Sequence, residues 1–322
     1  MLNRLVVIIP ALNEAKTIGL VISQIPKNIP GIESISVVVV DDGCTDTTAQ
    51  IAKDMGVTVV IHPTTMGVGA AFHSGIKKSL EMGATYIVNI DADGQFNPQD
   101  IPKLLAPILD NKADFVSATR FAKEEFMPDM PAIKKWGNKW VVRIVNALTG
   151  KKFTDVSCGF RAYSREAALR LTLFGRFTYT QESCIDLAYK GIAMTEVPLK
   201  IRGEREFGTS RVASNLWRYA VKSASIMFRA ARDYRPFYFI GVPGLIILAL
   251  GICSGIFVTV HFLQTGETSP YRSLVTLSGI LTIIGFLLLF ISLLADMIHR
   301  NRVLLEEALY LARKRGYDKK NA

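Results

Sequence analysis

The sequence predicts an α/β fold: a doubly wound, mostly parallel sheet followed by a C-terminal pair of membrane-spanning helices. Two observations predict the sheet. Short β-branched runs alternate with helical stretches up to about residue 119, and these runs are apolar almost throughout. Strands that are apolar on both faces are typical of a parallel sheet covered by helices. A third observation, two long uncharged segments near the C-terminus, predicts the helix pair.

The first part of the chain supplies strands and helices in strict alternation. The predicted strands are Leu5–Ile9, Ile35–Val40, Val57–Ile61, Tyr86–Ile90 and Asp114–Thr119. The predicted helices between them are Glu14–Gln24, Asp46–Met55, Gly69–Glu81 and Pro98–Leu109. Such sheets bind ligands beyond the carboxyl ends of their strands, so the residues that follow each strand are the candidates for a site.

The region from 120 to 235 is less regular and adds one predicted strand, Ala193–Ile201. Two stretches, 133–148 and 212–235, are amphipathic and carry tryptophan beside lysine and arginine. Aromatic and basic side chains on one helix suit the plane of a membrane surface. Ordinary surface helices, packed through their apolar side, are the alternative. We therefore predict that the sheet domain covers 1–211 and that an interfacial helix region follows over 212–235.

Length and charge predict the membrane spans. Phe237–Leu263 contains 27 residues and Ser273–Ala295 contains 23, all without Asp, Glu, Lys or Arg. At about 1.5 Å per residue, each can cross a hydrocarbon layer of about 30 Å, and core helices of a soluble protein are rarely so long. Arginines precede the first span and follow the second, which predicts a cell-membrane protein with both termini cytoplasmic. The hairpin domain is predicted over 236–298, and a basic cytoplasmic tail over 299–322.

Charge and cysteine content narrow the function classes. Lysine and arginine number 38 against 28 acidic residues, a net charge of +10 that suits anionic lipid, phosphorylated substrates or nucleic acid. No motif supports nucleic-acid binding, so we expect no nucleic-acid partner. The four cysteines form no C-x-x-C pair, which disfavours a zinc site or a disulfide framework. The first apolar run is broken at Pro10, so no signal peptide is predicted.

Acidic residues follow two of the predicted strands. Asp41 and Asp42 come directly after the second strand. Asp91 and Asp93 follow the fourth strand, and residues two apart in extended chain project to the same side. Together with the amide oxygen of Gln95 they can share one hard divalent cation. An Asp-x-Asp pair alone is weak evidence, because it is common in turns.

The order in which these segments occur along the chain makes each of them stronger evidence for a binding site. Residues 5–14, 41–46 and 91–95 lie on one α/β sheet in an order that resembles the inverting glycosyltransferase family two. Dinucleotide binding is the competing use of such a sheet, but no G-x-G-x-x-G follows the first strand. The resemblance implies a sheet of the GT-A type.

Motifs beyond residue 150 narrow the resemblance. The run Thr154–Tyr163, the pair Gln181-Glu182 and the stretch Arg205–Arg211 are similar to those of polyisoprenyl-phosphate glycosyltransferases, the group that includes dolichol-phosphate mannosyltransferases. The similarity covers nearly the whole chain, and the two trailing spans fit it. Two departures are visible: Cys44 stands where that group usually has serine, and Gly94 where it often has leucine.

The resemblance implies a role for each motif residue. Residues implied for the nucleotide sugar are Pro10, Ala11, Asn13, Glu14, Asp41, Asp42, Asp91 and Arg120. The implied ligands of Mg²⁺ or Mn²⁺ are Asp91, Asp93 and Gln95. The implied acceptor-phosphate residues are Arg161, Arg205, Ser210 and Arg211, and Glu182 is implied to orient the sugar. Asp93, Asp155 and Arg205 are the implied catalytic residues.

The implied reaction is a metal-dependent, inverting transfer of a hexose-type sugar. The donor is a UDP- or GDP-linked sugar, and the acceptor is the phosphate of a polyisoprenyl phosphate at the cytoplasmic membrane face. Because that phosphate has a second pKa of about 6, no strong general base is needed. The expected partners are donor, acceptor and bilayer, with a homo-oligomer left open. The alternatives are a processive polysaccharide synthase, which would normally carry more spans and a Gln-x-x-Arg-Trp stretch, and a non-catalytic, membrane-tethered nucleotide-sugar binding protein.

Overall fold

Seven strands organise the first part of the chain into one sheet. The computed structural model describes residues 3–127, 132–172, 179–202, 225, 228–229, 232–234 and 236–321. The strands are β1 Arg4–Ala11, β2 Ser34–Asp41, β3 Thr58–Ile61, β4 Tyr86–Asn89, β5 Phe115–Thr119, β6 Arg161–Ser164 and β7 Met194–Pro198. Their order in the sheet is β3-β2-β1-β4-β6-β5-β7.

The predicted mostly parallel sheet is confirmed, with one exception in its middle. All neighbouring strands are parallel except β6, which runs antiparallel to both β4 and β5. Strand β6 is not among the strands predicted from the sequence. It has only four residues, and Arg161 at its start and Ser164 at its end are both polar, so the continuous apolar signal of the other central strands is missing.

Nine α-helices accompany the sheet and the C-terminal region in the described part of the chain. They are α1 Ile18–Ser23, α2 Thr48–Asp54, α3 Val68–Glu81, α4 Ile101–Leu109, α5 Ala132–Thr149, α6 Arg165–Arg170, α7 Thr180–Tyr189, α8 Val242–Thr265 and α9 Arg272–Asn321. Helix α1 begins four residues later than predicted, because Glu14 starts a hydrogen-bonded turn whose carbonyl accepts from Thr17 and Ile18. Helices α6 and α7 are not among the predicted helices.

The strand register brings the predicted site segments together. Strand β1 is buried from Leu5 to Ala11 and pairs in parallel with β2 on one side and β4 on the other. Ala11 lies beside Asp41, and Ile8 lies beside Asn89. The carboxyl ends of these three strands therefore meet at one edge of the sheet. Each buried aliphatic side chain of β1 contributes about 1.5–3 kcal/mol to the burial that holds this edge in place.

Two compact units divide the chain: Met1–Ile226 with Glu307–Ala322, and Met227–Glu306. In the second unit, helix α8 and the first part of α9 pack closely through glycine. A Cβ on Gly251 would stand 2.6 Å from the backbone nitrogen of Thr282, and one on Gly285 would stand 2.5 Å from that of Leu248. Small residues at such contacts are typical of helix pairs in membranes. Both helices are long and apolar enough to span a membrane.

The end of helix α9 packs against helix α6 within the sheet unit. Arg313 donates a hydrogen bond of 2.7 Å to the Leu171 carbonyl, and the Tyr310 hydroxyl donates one of 2.9 Å to Glu166. The range 299–322 is predicted as a separate tail, but in the structure 299–321 continue helix α9, and Glu307–Ala322 belong to the sheet unit. The predicted boundary at 298 follows the end of the apolar run, which marks the span but not the helix.

Replacing Arg313 by alanine should loosen this C-terminal segment. The guanidinium donates to two carbonyls at the C-terminal end of helix α6, those of Leu171 (2.7 Å) and Leu169 (3.4 Å). Hydrogen bonds from a charged donor contribute about 1.5–3 kcal/mol, so we expect backbone amides of 307–321 to exchange at least about ten-fold faster. Hydrogen exchange read by mass spectrometry measures this. Arg315→Ala, an exposed arginine of the same segment, is the control; equal exchange in both variants would contradict the docking role.

Candidate active site

The loops after β1 and β2 are tied to each other by hydrogen bonds. Asn13, whose φ is +53°, accepts from the Thr45 backbone nitrogen at 2.7 Å through its side-chain oxygen. The Asn13 backbone nitrogen donates to Cys44 Sγ at 3.1 Å, and this thiol in turn lies 3.6 Å from the Ala11 carbonyl. Two predicted donor-binding segments therefore form one connected surface at the edge of the sheet.

Cys44 occupies the centre of that connection as a hydrogen-bonding group. Burial, above all, raises the pKa of the Cys44 thiol to about 12, so the group stays neutral at physiological pH. A neutral thiol is a poor nucleophile, so this pKa favours a hydrogen-bonding role over a covalent one. The sulfur instead accepts and donates as a serine hydroxyl would. The departure from the serine of similar sequences thus leaves the contact intact.

A pair of substitutions at Cys44 should separate hydrogen bonding from size. Cys44→Ser keeps both hydrogen bonds, and we expect its unfolding free energy within about 0.5–1 kcal/mol of the wild type. Cys44→Val keeps the volume but leaves the Asn13 nitrogen without its acceptor, at a cost of about 1–3 kcal/mol. Thermal unfolding and the KM for the nucleotide sugar measure the two effects. Equal behaviour of both variants would show that the sulfur contacts carry no energy.

Asp42 and His62 anchor the loop that leads into helix α3. The Asp42 carboxylate accepts from His62 Nδ1 at 2.8 Å, from the Met66 nitrogen at 2.9 Å and from the Gly67 nitrogen at 2.8 Å. His62 Nε2 lies 2.9 Å from the Ser74 hydroxyl. Asp42 is buried, and both of its carboxylate oxygens accept hydrogen bonds from this loop. Contact with the donor, as predicted from the sequence, does not follow from this geometry.

Asp41 is also turned inward, and the neighbouring strand-end residues are buried. Its Oδ1 accepts from the Cys44 nitrogen at 2.6 Å, which closes the turn after β2. Pro10 and Ala11 lie within β1 and are buried, and the Glu14 nitrogen donates to the Thr48 hydroxyl at 2.9 Å. These residues shape the edge at which a nucleotide would lie.

The loop of residues 91–95, called the acidic loop below, follows β4 and lies against Gly159. A Cβ on Gly159 would stand 2.8 Å from Asp91 Oδ2 and 3.0 Å from Asp91 Oδ1, so only glycine fits beneath this carboxylate. Asp93 Oδ1 accepts from the Gln95 nitrogen at 3.1 Å. The Gln95 side chain donates to the Arg202 carbonyl at 3.4 Å. The loop is therefore braced from both sides.

The donor set of this loop fits a hard divalent cation bound together with a diphosphate. It offers two carboxylates and an amide, which are the oxygen ligands that Mg²⁺ and Mn²⁺ prefer, and Mg²⁺ usually takes its remaining ligands from phosphates and water. Among the described residues, no group of three or more His, Cys, Asp or Glu side chains is placed to hold a metal alone. A site completed by a substrate's phosphates needs no such group.

Arg120 and Asp155 form a two-point ion pair. Arg120 Nε lies 2.6 Å from Asp155 Oδ2, and its Nη2 lies 3.0 Å from Oδ1 and 2.7 Å from the Ser157 hydroxyl. The Asp155 side chain is completely buried, whereas 20% of the Arg120 side chain is exposed. Asp155, predicted as a catalytic residue, is therefore placed to fix the guanidinium of Arg120. Two parallel hydrogen bonds give that guanidinium a defined orientation.

Arg161 is corrected from an acceptor-phosphate residue to part of the core. Its side chain has no exposed surface, and its donors are used inside the protein. They bond to the carbonyls of Cys158 (2.8 Å), Thr180 (2.7 Å) and Val156 (3.0 Å) and to the Ser183 hydroxyl (2.6 Å). The guanidinium thus joins the loop before β6 to the start of α7 and cannot reach a ligand.

Glu196 is a supporting residue to which sequence reasoning gave no role. Its carboxylate accepts from the Thr154 nitrogen and hydroxyl, both at 2.8 Å, and from the Asp155 nitrogen at 2.9 Å. Burial raises the pKa of Glu196 above its ordinary value. The Glu196-Val197-Pro198 triplet of β7 was visible in the sequence, but nothing in it indicated the partner loop. Glu196 holds Asp155 in place behind Arg120.

Of the remaining predicted site residues, the structure describes Glu182 but not those of the 205–211 stretch. Glu182 lies in the first turn of helix α7 and is partly buried. Arg205, Ser210 and Arg211 lie outside the described residues, as does most of the interfacial stretch 212–235. The other predicted basic stretch, 133–148, forms helix α5 and exposes Trp136 and Trp140.

Comparisons with known proteins agree on one family. The model of glycosyl transferase family 2 matches residues 6–172. The chain is 32% identical over 213 residues to the UDP-N-acetylglucosamine--dolichyl-phosphate N-acetylglucosaminyltransferase of Methanococcus voltae, which covers 60% of this chain and 83% of that protein. It is 29% identical over 241 residues to the undecaprenyl-phosphate mannosyltransferase of Micrococcus luteus, which covers 71% of this chain and 96% of that protein.

A solved structure confirms the predicted GT-A type of fold. The glucosyl-3-phosphoglycerate synthase of Mycobacterium tuberculosis, in a complex with Mn²⁺, UDP and glucosyl-3-phosphoglycerate, aligns with a TM-score of 0.55. Sequence identity is 22%, and the alignment covers 71% of this chain and 80% of that chain. At this identity the likeness concerns the fold.

Proposed function

Because the chain belongs to glycosyl transferase family 2, we propose that it transfers a hexose-type sugar from a nucleotide diphosphate sugar to the phosphate of a polyisoprenyl phosphate. The observation that carries this proposal is the meeting of three loops at one sheet edge, with Asn13, Cys44 and Asp91 on them, in a chain that also has two membrane-length helices. A water-soluble donor needs a binding site such as the sheet edge, and a lipid acceptor needs an enzyme held at the membrane by such helices.

The donor lies, in this proposal, along the loops after β1, β2 and β4. The names of the relatives support a nucleotide sugar and a lipid phosphate: one uses a UDP-linked sugar and a dolichyl phosphate, and the other an undecaprenyl phosphate. The chain itself supports the same site through the connected surface of Asn13, Thr45 and Cys44. A UDP- or GDP-linked hexose is the proposed donor class.

Asp91, Asp93 and Gln95 would hold Mg²⁺ or Mn²⁺ in the presence of the donor diphosphate. The cation supplies charge that offsets the two phosphates and makes the diphosphate a better leaving group. The chain's contribution is the braced loop, in which the Asp91 carboxylate is seated on Gly159 and the Gln95 amide is oriented by Arg202. The Mn²⁺ in the related crystal structure supports this choice of ions.

The sugar moves in one displacement. An oxygen of the lipid phosphate attacks the anomeric carbon, the bond from that carbon to the nucleotide diphosphate breaks, and the nucleoside diphosphate leaves with the electron pair. This inverts the anomeric configuration without a covalent enzyme intermediate. Two anionic groups must approach, so a fixed cation at the junction lowers the barrier. Arg120, held by Asp155, is the described arginine proposed for that position, with Arg205, Ser210 and Arg211 on the acceptor side.

The apolar helices keep the enzyme where its acceptor is. A polyisoprenyl tail stays in the bilayer, so the reacting phosphate is presented at the membrane surface. Helix α8 and the first part of α9 are proposed to anchor the chain there, with both termini on the cytoplasmic side, as the flanking arginines favour. The exposed Trp136 and Trp140 of helix α5 support contact with the interface.

A donor panel tests the proposal. The purified full-length chain is incubated with a short polyprenyl phosphate, Mn²⁺ and one UDP- or GDP-sugar at a time. The masses of the lipid products are then determined by mass spectrometry. We expect one hexose added to the lipid phosphate for at least one donor. Polymer would indicate a processive synthase, and tight nucleotide-sugar binding without any product would indicate a binding protein. Either result would overturn the proposal.

A further inference from the structure

The strongest unassigned feature is a buried polar group directly behind the acidic loop. Asn89 is the last residue of β4, two positions before Asp91, and no part of its side chain is exposed. Its Nδ2 donates to the Tyr179 hydroxyl at 2.7 Å and to the Gly159 carbonyl at 2.8 Å. Its Oδ1 has no hydrogen-bond partner among the described residues. A buried amide in an otherwise apolar strand is costly and calls for a reason.

Tyr179 is locked in place from two sides. Its ring stacks on Phe72 of helix α3 with 4.1 Å between ring centroids and 9° between planes. The residue is 2% exposed and immediately precedes helix α7. Its hydroxyl donates towards the Gly159 carbonyl at 3.4 Å. Asn89 and Tyr179 therefore both donate hydrogen bonds to the Gly159 carbonyl.

Gly159 is the surface on which the Asp91 carboxylate rests. A Cβ at this position would lie within 3.1 Å of three atoms: both Asp91 oxygens and the Tyr179 hydroxyl. The carboxylate and the hydroxyl thus both lie beside the one position that a Cβ of residue 159 would occupy.

We infer that Asn89 and Tyr179 position Asp91 for cation binding by fixing Gly159 beneath its carboxylate. They are positioning residues: neither is placed to touch the donor or the cation. The inference rests on the proposed function, because it gives the Asp91 loop a cation to hold. Groups that hold a metal-binding side chain in place commonly influence metal affinity by about 10–100-fold.

Tyr179→Phe tests this with the smallest change. It removes one hydroxyl, so Asn89 loses an acceptor and Gly159 loses a donor, while the stacked ring stays. We expect Mn²⁺ affinity to fall about ten-fold in the presence of UDP. The affinity is measured by electron paramagnetic resonance of free Mn²⁺ with the full-length chain in detergent. Transfer should need more Mn²⁺ for half activation, with kcat recovered at saturating Mn²⁺.

Tyr163→Phe is a matched control. Tyr163 is also completely buried, and its ring lies 5.7 Å from Phe72 in the same aromatic cluster. Within the described part of the chain, its hydroxyl makes no hydrogen bond. We expect unchanged Mn²⁺ affinity in this variant. A comparable loss in Tyr163→Phe would mean that any buried hydroxyl has this effect, and would overturn the inference.

Gly159→Ala provides a second route to the same result. The added methyl group must displace the Asp91 carboxylate, so Mn²⁺ affinity should fall by at least as much as in Tyr179→Phe, with a melting temperature that shows a folded chain. Unchanged affinity in Tyr179→Phe, against a wild type that binds Mn²⁺, would overturn the positioning role alone. A wild type that binds no Mn²⁺ with UDP would overturn the cation site of the proposed function, and the inference with it.

Discussion

Replacing Asp93 by alanine is expected to abolish sugar transfer while leaving the fold intact. Asp93 is buried at the end of the acidic loop, where its Oδ1 accepts from the Gln95 nitrogen. Its loss removes one of the two carboxylates available to the cation. A bound cation stabilises the developing charge by several kcal/mol, so kcat should fall about 100-fold or more. Product formation from the best donor of the panel measures this.

The control for Asp93→Ala is a carboxylate of the same type far from chemistry. Asp110 is exposed and pairs with Lys112 at the surface, so Asp110→Ala should keep full activity. Melting temperatures of both variants show whether the fold is retained. Full activity of Asp93→Ala in the presence of metal, with an unchanged melting temperature, would refute the metal assignment.

The second large effect concerns stability, at Arg161. Replacing Arg161 by alanine leaves four acceptors inside the protein without their donor: the carbonyls of Val156, Cys158 and Thr180 and the hydroxyl of Ser183. Each buried group left unsatisfied costs about 1–3 kcal/mol, and the missing side chain adds a cavity. We expect a loss of at least about 4 kcal/mol, a large share of the 5–15 kcal/mol typical of a domain.

Chemical denaturation of the purified chain, with intrinsic fluorescence as the signal, measures the change in unfolding free energy caused by Arg161→Ala. Arg143, an exposed arginine that lies 5.8 Å from the Trp140 ring centroid, is the control, and Arg143→Ala should change stability by less than about 0.5 kcal/mol. The experiment also decides between two roles. An Arg161→Ala protein that unfolds like the wild type but binds acceptor weakly would restore the phosphate-binding role predicted from the sequence.

The sheet and the edge that carries the candidate site were predictable because each strand can be recognised from its own residues alone. Strands β1, β2 and β4 are continuous apolar runs, and in a doubly wound sheet such strands end at a common edge. That is enough to bring Asn13, Cys44 and Asp91 into neighbouring loops before any coordinates are known. Uncharged length likewise predicts helix α8 and the first part of α9 without knowledge of the rest of the fold.

Side-chain direction was not predictable in the same way. The motif around Arg161 indicates function, but its direction depends on β6 entering the sheet antiparallel between β4 and β5, and four residues carry no sign of that. Asp155 is buried because Glu196, forty-one residues later, holds its backbone. Such partners are distant in sequence and leave no periodic pattern.

One overlooked residue did leave a signal. Strand β4 reads Tyr86-Ile-Val-Asn89, and an asparagine inside a strand buried on both faces is uncommon enough to question. Its position two residues before Asp91 places it on the same side of an extended chain. The sequence could therefore have indicated Asn89 as a support of the acidic loop. Tyr179 gave no such signal, because aromatic side chains are ordinary core residues.

The most direct test of the central claim is the stoichiometry of a single transfer reaction. The full-length chain is incubated with a radiolabelled nucleotide sugar, Mn²⁺ and a short polyprenyl phosphate, and the organic and aqueous phases are counted separately. The account predicts one labelled sugar per lipid phosphate in the organic phase, matched mole for mole by released nucleoside diphosphate. Nucleoside diphosphate released together with free sugar or polymer, and no labelled lipid, would contradict it.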